Sequence, residues 1–70
     1  MNALRTYREV RGISQQGLAD QLAVSRMTLF RWESGRRKID PDLIPQIMEK
    51  TGLSAAELRP DLAALLSPGA

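Results

Sequence analysis

The chain has 70 residues, enough for one domain only, and it contains no cysteine and no histidine. This composition excludes disulfides and the common Cys/His zinc sites, so apolar packing must stabilise the fold. It also leaves no plausible catalytic site, since a glycine-rich phosphate loop is missing as well. We therefore expect a protein that is not an enzyme and that carries no metal and no cofactor.

The sequence shows neither an apolar run long enough to cross a membrane nor a signal peptide. These features predict a soluble, cytoplasmic protein without a membrane partner. The initial Met and the lack of a visible tag are compatible with a complete gene product.

The net charge of +2 conceals two halves of opposite sign. Residues 1–38 carry a net charge of +5, whereas residues 39–70 carry a net charge of −3. The first half would attract a polyanion and the second would repel it. Because charged runs are often only a solvated surface, the asymmetry is compatible with a nucleic-acid partner without establishing one.

Apolar residues recur at helical spacing, without strand-like alternation, and predict an all-α bundle of about five short helices. The first predicted helix covers residues 2–11 and ends at Gly12. Its inward face is predicted to carry Leu4, Tyr7 and Val10.

Two further helices are predicted in the basic half. Ser14 is a suitable N-cap for a helix over residues 15–22, and Ser25 for one over 26–34 that Gly35 ends. Their inward-facing residues are predicted to be Leu18, Ala19, Leu22, Leu29 and Trp32.

The acidic half begins after a polar loop over residues 35–40. A fourth helix is predicted over residues 42–51, with Pro45 in its first turn because proline lacks a backbone N–H. Gly52 ends it. Its apolar residues are Leu43, Ile44, Ile47 and Met48.

The sequence from Ser54 to Glu57 predicts a capping box that opens a short fifth segment. Pro60 and Asp61 then restart a last turn or two, and residues 67–70 should be frayed. This final segment carries Leu62, Leu65 and Leu66.

Residues 14–34 match the helix-turn-helix pattern, which joins two short helices through a short turn. Ala19 has the small side chain that a close crossing of the two helices needs, and Val24 would plug the turn. The exposed residues of the third helix are then Arg26, Met27, Thr28, Phe30 and Arg31, a mixture suited to groove edges and phosphates.

The spacing of several motifs resembles the phage Cro/repressor-type helix-turn-helix family over about residues 3–52. The motifs are Leu4-Arg5-x-Tyr7-Arg8, Gly12-Ile13-Ser14-Gln15, Leu18-Ala19-x-x-Leu22-Ala23-Val24-Ser25 and Thr28-Leu29-x-Arg31-Trp32-Glu33-x-Gly35-Arg36. Residues 51–62 resemble the ending of its short Cro-like and antitoxin-like members. Two departures are Ala23, where the family usually has glycine, and Gly17 inside the second helix.

The resemblance implies that one face of the chain binds double-stranded DNA. It places Arg26 and Met27 at base edges, and we expect base contact from Arg31 one turn further along. The predicted phosphate contacts are Gln15, Thr28, Arg36, Arg37 and Lys38. A merely solvated side chain is the alternative for Gln15 and for the three cations of the loop. Gln15 is also implied to brace the start of the third helix. The sequence does not decide between helix four, a DNA sugar and a partner surface as the contact of Phe30.

Two positions are implied to be structural. The family pairs Arg8 and Glu33 as a partly buried ion pair that ties the first helix to the end of the third. Trp32 is expected to be core, with base stacking as its alternative.

The function expected from these features is sequence-specific DNA binding by a single domain over residues 1–66. We expect a transcriptional repressor that binds a palindromic operator as a homodimer, in a phage, prophage or plasmid setting, with its own operon as one target. Residues 53–66 are a candidate dimerisation segment, in which Leu62, Leu65 and Leu66 are either ordinary core or a dimer seam. The alternative is an antitoxin or another protein-interaction module, with a protein partner and the same fold.

Overall fold

The computed structural model describes residues 2–62, and every regular element among them is helical. The α-helices are α1 (Ala3–Arg11), α2 (Gln15–Leu22), α3 (Arg26–Glu33), α4 (Ile44–Thr51) and α5 (Ala55–Leu58), with a 3₁₀ helix at Pro41–Leu43. The all-α prediction is confirmed. The chain divides into two compact units, Met1–Lys38 and Ile39–Ala70, and the division coincides with the change in the sign of the charge.

In the first unit, α1 and α2 both pack against α3. The side chains that fill the space between these helices are the apolar ones predicted from the helical spacing. Those buried are Leu4, Tyr7, Leu18, Ala19, Leu22, Leu29 and Trp32. Ala19 is fully buried, which agrees with the small side chain that a close crossing requires.

Val10 was predicted to face inward, and this prediction is wrong, because 76% of its surface is exposed. Each step of three residues turns the helix by about 60° short of a full revolution, so two such steps carry Val10 far from the direction of Leu4. Arg8, four residues after Leu4, points closer to that direction and occupies the place expected for an apolar side chain.

Side chains cap the helices of the first unit at their N-termini. Ser14 Oγ accepts a hydrogen bond from the backbone N–H of Gly17, and Ser25 Oγ accepts one from Thr28, as their positions in the sequence predict. Ala23 ends α2 with φ +60°, in the left-handed region. Helix α3 ends at Glu33 rather than at residue 34, since Ser34 is its C-cap.

In the second unit, the predicted fourth helix is divided into the 3₁₀ helix and α4. Pro45 has no N–H to donate to the carbonyl of Pro41, and Ile44 N–H bonds that carbonyl instead, in the 3₁₀ pattern. Pro45 does lie in the first turn of α4, as predicted. Among residues 39–62 of this unit, the buried ones are Ile39, Ile44, Ile47, Thr51 and Leu58. Leu43 is only half-buried, and Met48 is exposed.

Ser54 caps α5 by accepting a hydrogen bond from the backbone N–H of Glu57. The return contact differs from a capping box, because the Ser54 hydroxyl donates to the Glu57 carboxylate at 3.2 Å.

Leu62 is half-buried, whereas the predicted Leu65, Leu66 and the tail over 67–70 lie outside the described residues. No helix within residues 2–62 is both long and apolar enough to cross a membrane.

Candidate nucleic-acid interface

The solvent-facing side of α3 carries the residues predicted to read bases. Leu29, Trp32 and Glu33 are buried, which fixes the opposite face of this short helix toward solvent. The exposed side chains there are Arg26, Met27, Phe30 and Arg31, while Thr28 is half-buried. The packing of α2 and α1 against α3 thus holds this face in a single orientation.

The loop after α3 turns back over the end of that helix. The backbone N–H groups of Arg36 and Arg37 both donate to the carbonyl of Arg31, at 3.0 and 3.2 Å. Arg36, Arg37 and Lys38 are all exposed. The turn therefore places the first of three consecutive cationic residues close to the C-terminal end of α3.

The exposed arginines of this region have no carboxylate partner within the described residues. The salt bridges within residues 2–62 include those of Arg5, Arg8 and Arg59. None of them involves a guanidinium group of α3 or of the loop that follows it. The arginines without a carboxylate partner among residues 2–62 are Arg11, which lies over the Tyr7 ring on α1, and Arg26, Arg31, Arg36 and Arg37 on α3 and its following loop. Cations that the protein itself does not neutralise favour contact with an external anion.

Thr28 and Ser25 form a local hydrogen-bonded pair at the start of α3. Their hydroxyl oxygens are 2.8 Å apart, and Ser25 Oγ also accepts from the Thr28 N–H at 3.1 Å. The Thr28 hydroxyl is therefore held at the first turn of α3, next to the exposed Arg26 and Met27.

Gln15 braces the end of α3 and not its start, which corrects the expectation from the sequence. Its Nε2 donates to Glu33 Oε1 at 3.3 Å, and the residue is half-buried. The correction follows from the packing, because the first residue of α2 lies beside the last residue of α3. Gln15 thus shares a carboxylate with Arg8.

The implied ion pair between Arg8 and Glu33 is present and bidentate. Arg8 Nε donates to Glu33 Oε2 at 2.9 Å, and Nη2 donates to Oε1 at 3.0 Å. The Glu33 side chain is only 4% exposed, and these donors replace the hydrogen bonds that water would otherwise make to its carboxylate. The hydrogen bonds from Glu33 raise the pKa of Arg8 above its usual value, although burial acts in the opposite direction.

Asn2 was not singled out from the sequence, yet it links α1 to α3. Its Oδ1 accepts from the N–H groups of Leu4 and Arg5, and its Nδ2 donates to the carbonyl of Trp32 at 2.7 Å. An asparagine just before an apolar helix is a recognisable N-cap signal, but the second bond spans 30 residues and has no local signature.

Phe30 lines a cavity of about 220 Å³ inside the first unit, together with Arg5, Arg8, Gln15, Glu33 and Ser34. The rest of this lining is polar or charged, and 43% of the Phe30 surface remains exposed. The ring is therefore placed at the border of the exposed face of α3.

Titratable groups are not gathered into a metal site. Within residues 2–62, no group of three or more Cys, His, Asp or Glu side chains could hold a metal ion.

What the described residues do offer is a packed helix, α3, whose outer face combines guanidinium groups that have no carboxylate partner with apolar side chains. This combination can pair with base edges and phosphates in a nucleic-acid groove.

A family model described as helix-turn-helix matches residues 4–58 of the chain. Comparison with curated proteins and with solved structures gave no significant match.

Proposed function

Because this chain belongs to the helix-turn-helix family of DNA-binding transcriptional regulators, we propose that it is a repressor that binds a palindromic operator as a homodimer. The observation that carries the proposal is the outer face of α3. Its arginines have no carboxylate partner within the described residues, and they lie on a unit whose net charge is +5.

The proposed base contacts come from three side chains of α3. Arg26 and Arg31 each have the planar fork that pairs with O6 and N7 of guanine in the major groove. Met27, with 54% of its surface exposed, packs against the methyl group of a thymine. These contacts specify the sequence of the operator.

The proposed phosphate contacts surround that face. Gln15 and Thr28 lie in the first turns of α2 and α3, where the N–H groups and the helix dipole favour an anion. Arg36, Arg37 and Lys38 clamp the DNA backbone on the other side. These contacts fix the register of the protein on the duplex without reading its sequence.

The homodimer is proposed because one short recognition helix reads too few base pairs to select a unique site in a genome. Two copies related by a two-fold axis double the readout and require half-sites roughly 34 Å apart. The contact between copies is assigned to the acidic half, in residues 53–66. Its proposed seam consists of Leu62, which is half-buried, with Leu65 and Leu66.

Selection of DNA from random oligonucleotides by the purified chain tests this function. We expect an inverted repeat, protected over both half-sites in footprinting, and a dimer on DNA in equilibrium sedimentation. Replacement of Leu62 and Leu65 by Asp should abolish cooperative binding and leave a folded helical monomer.

Three outcomes contradict the proposal in different ways. A wild-type monomer that protects a single half-site with full affinity excludes the dimer. An isolated chain that selects no DNA at all, but binds a second protein, supports the antitoxin-like alternative instead. An operator that is bound but gives no repression of a reporter gene excludes the repressor.

The similarity to short Cro-like members supports a phage, prophage or plasmid setting, with control of the protein's own operon. The selected operator should then occur upstream of the gene for this chain. A promoter fusion to that upstream DNA should be repressed when the chain is supplied from a second copy.

A further inference from the structure

Phe30 is the aromatic residue of this chain that is not buried. The sequence holds one Tyr, one Trp and one Phe, and both Tyr7 and Trp32 are in the core. Among residues 2–62 the large apolar side chains that remain exposed are Val10, Met27, Phe30 and Met48, and two of these are on α3. Since leaving apolar surface in water forgoes the free energy of burial, the pair on α3 requires an explanation.

The spacing of residues along α3 determines which side chains are neighbours on its exposed face. Residues four apart are neighbours on a helix, so Arg26 lies beside Phe30 and Met27 lies beside Arg31. Each row therefore combines one guanidinium group and one apolar side chain. Phe30 therefore lies on the same side of α3 as Arg26, and the cavity that it lines extends toward Gln15 and Glu33.

We propose that Phe30 is a specificity-determining residue that packs against the 5-methyl group of a thymine, next to the base pair read by Arg26. This inference rests on the proposed function, since it assigns a further part of the operator to the same helix face. With Met27 on a second thymine, the half-site contains two thymines in addition to the guanines that Arg26 and Arg31 read.

Charge favours DNA over an apolar protein surface as the occupant of this surface. Phe30 shares α3 with Arg26 and Arg31, which have no carboxylate partner among the described residues, and all three belong to the unit of net charge +5. An apolar protein surface would have to cover these cations without neutralising them, at a high cost in desolvation. A DNA groove neutralises them and offers the thymine methyl group as an apolar contact.

Replacement of single thymines by uracil in the selected operator isolates this contact. Uracil lacks only the methyl group, so hydrogen bonding and duplex charge stay the same. We expect wild-type affinity to fall about fourfold at each of two thymines per half-site, as the loss of one buried methyl group predicts. Phe30→Ala should weaken binding to the thymine operator and remove the uracil effect at one of those two positions.

Two controls accompany the experiment. Val10→Ala removes a more exposed apolar side chain from a different helix, α1, and should leave every uracil effect unchanged. Phe30→Gln keeps a long side chain without the apolar ring and should behave as Phe30→Ala does, which covers the case in which the alanine variant melts early.

The inference is overturned if no thymine responds to uracil, or if the Phe30 variants respond as the wild type does at every position. Either result leaves specific DNA binding intact and is therefore distinct from failure of the proposed function. Failure of that function means that the wild-type chain selects no operator.

Discussion

Each of the two units contains an arginine whose side chain links two segments of the chain, but the carboxylate partners of these two arginines differ in their exposure to solvent. In the first unit, Arg8 binds Glu33, with side chains that are 17% and 4% exposed. In the second, Arg59 donates to the carbonyl of Ile39 and to the carboxylate of Asp61, which is 42% exposed. The carboxylate of Glu33 is enclosed, whereas that of Asp61 remains partly exposed to water.

This difference extends to the surfaces of the units. The first unit holds a buried carboxylate in its interior and leaves arginines on its surface without carboxylate partners among the described residues. The second carries more carboxylates than cations. The comparison shows how the same side chains serve two purposes, because an arginine that lies beside a buried carboxylate is structural and one that faces solvent can bind a polyanion.

The largest expected effect is the dependence of DNA binding on salt. Each neutralised phosphate should lower the logarithm of the affinity by roughly 0.9 per logarithmic unit of salt. With the proposed phosphate contacts on both copies, affinity should fall by about a thousandfold or more between 50 and 200 mM salt. Binding titrations over this range measure the slope.

Variants in the two units test whether the slope belongs to the first unit. Arg36→Gln removes one proposed phosphate contact per copy and should make the slope shallower by about 1.8 for the dimer. Lys50→Gln, at a position of the second unit, should leave it unchanged. An affinity that stays flat with salt, or equal slopes for both variants, contradicts the assignment of phosphate contacts to the basic unit.

The second prediction concerns the buried ion pair between Arg8 and Glu33. Arg8→Ala leaves the Glu33 carboxylate buried with Gln15 as its remaining donor, and should lower the free energy of unfolding by about 3 kcal/mol. Arg5→Ala is the matched control on the same helix, since Arg5 pairs with Glu9 on the surface, and it should cost no more than about 0.5 kcal/mol.

Denaturant titration without DNA measures both values. The prediction fails if the Arg8→Ala variant unfolds as the wild type does yet binds DNA poorly. That result would mean that Arg8 contacts DNA and that its ion pair with Glu33 is not needed for stability.

The third prediction separates sequence reading from general affinity inside the basic unit. Arg31→Ala should lose about 2 kcal/mol on the preferred operator and relax the choice of base at one position of the half-site. Arg26→Ala should behave in the same way at another position. Arg37→Ala should instead weaken binding to all sequences alike.

Competition of the operator against random DNA distinguishes these cases. An Arg31→Ala variant whose ratio of specific to random binding equals that of the wild type would show that the reading face of α3 has been misassigned.

The features predicted correctly from the sequence are those with a local signature. Ser14 and Ser25 are N-caps because a hydroxyl three residues before an N–H satisfies it wherever the helix lies. The buried stripe of α2 and α3 follows from helical periodicity.

Long-range contacts were harder to predict from the same residues. The bond from Asn2 to Trp32 and the bond from Gln15 to Glu33 depend on how α1, α2 and α3 cross, which periodicity does not encode. Val10 was misplaced because a step of three residues was continued along α1 beyond its first two turns. The pair Arg8 and Glu33 was predicted only through the family resemblance, since charge alone does not show which carboxylate becomes buried.

The fourth prediction compares the left-handed ends of α2 and α4, one in each unit. Ala23 has φ +60° and Gly52 has φ +78°, so both positions favour glycine. Ala23→Gly should raise the free energy of unfolding by about 0.5–1 kcal/mol, and Gly52→Ala should lower it by a similar amount, since the strain exceeds the entropy difference in the unfolded chain. Thermal melting of both variants measures this, and two shifts of the same sign would contradict it.

The smallest expected effect is at Gly17, inside α2. Alanine in a helix interior is usually about 1 kcal/mol better than glycine. A Cβ at this position, however, would lie 3.0 Å from Ile13 Cγ2 and 3.2 Å from Ser14 Oγ, the atom that caps α2. We therefore expect Gly17→Ala to change the free energy of unfolding by less than about 0.5 kcal/mol, because crowding offsets the gain in propensity. Ser14→Ala should cost about 1 kcal/mol in the wild type and less in the Gly17→Ala background, where the cap is already disturbed. Additive effects of the two substitutions, measured by denaturant titration, would show that the Cβ leaves the cap untouched.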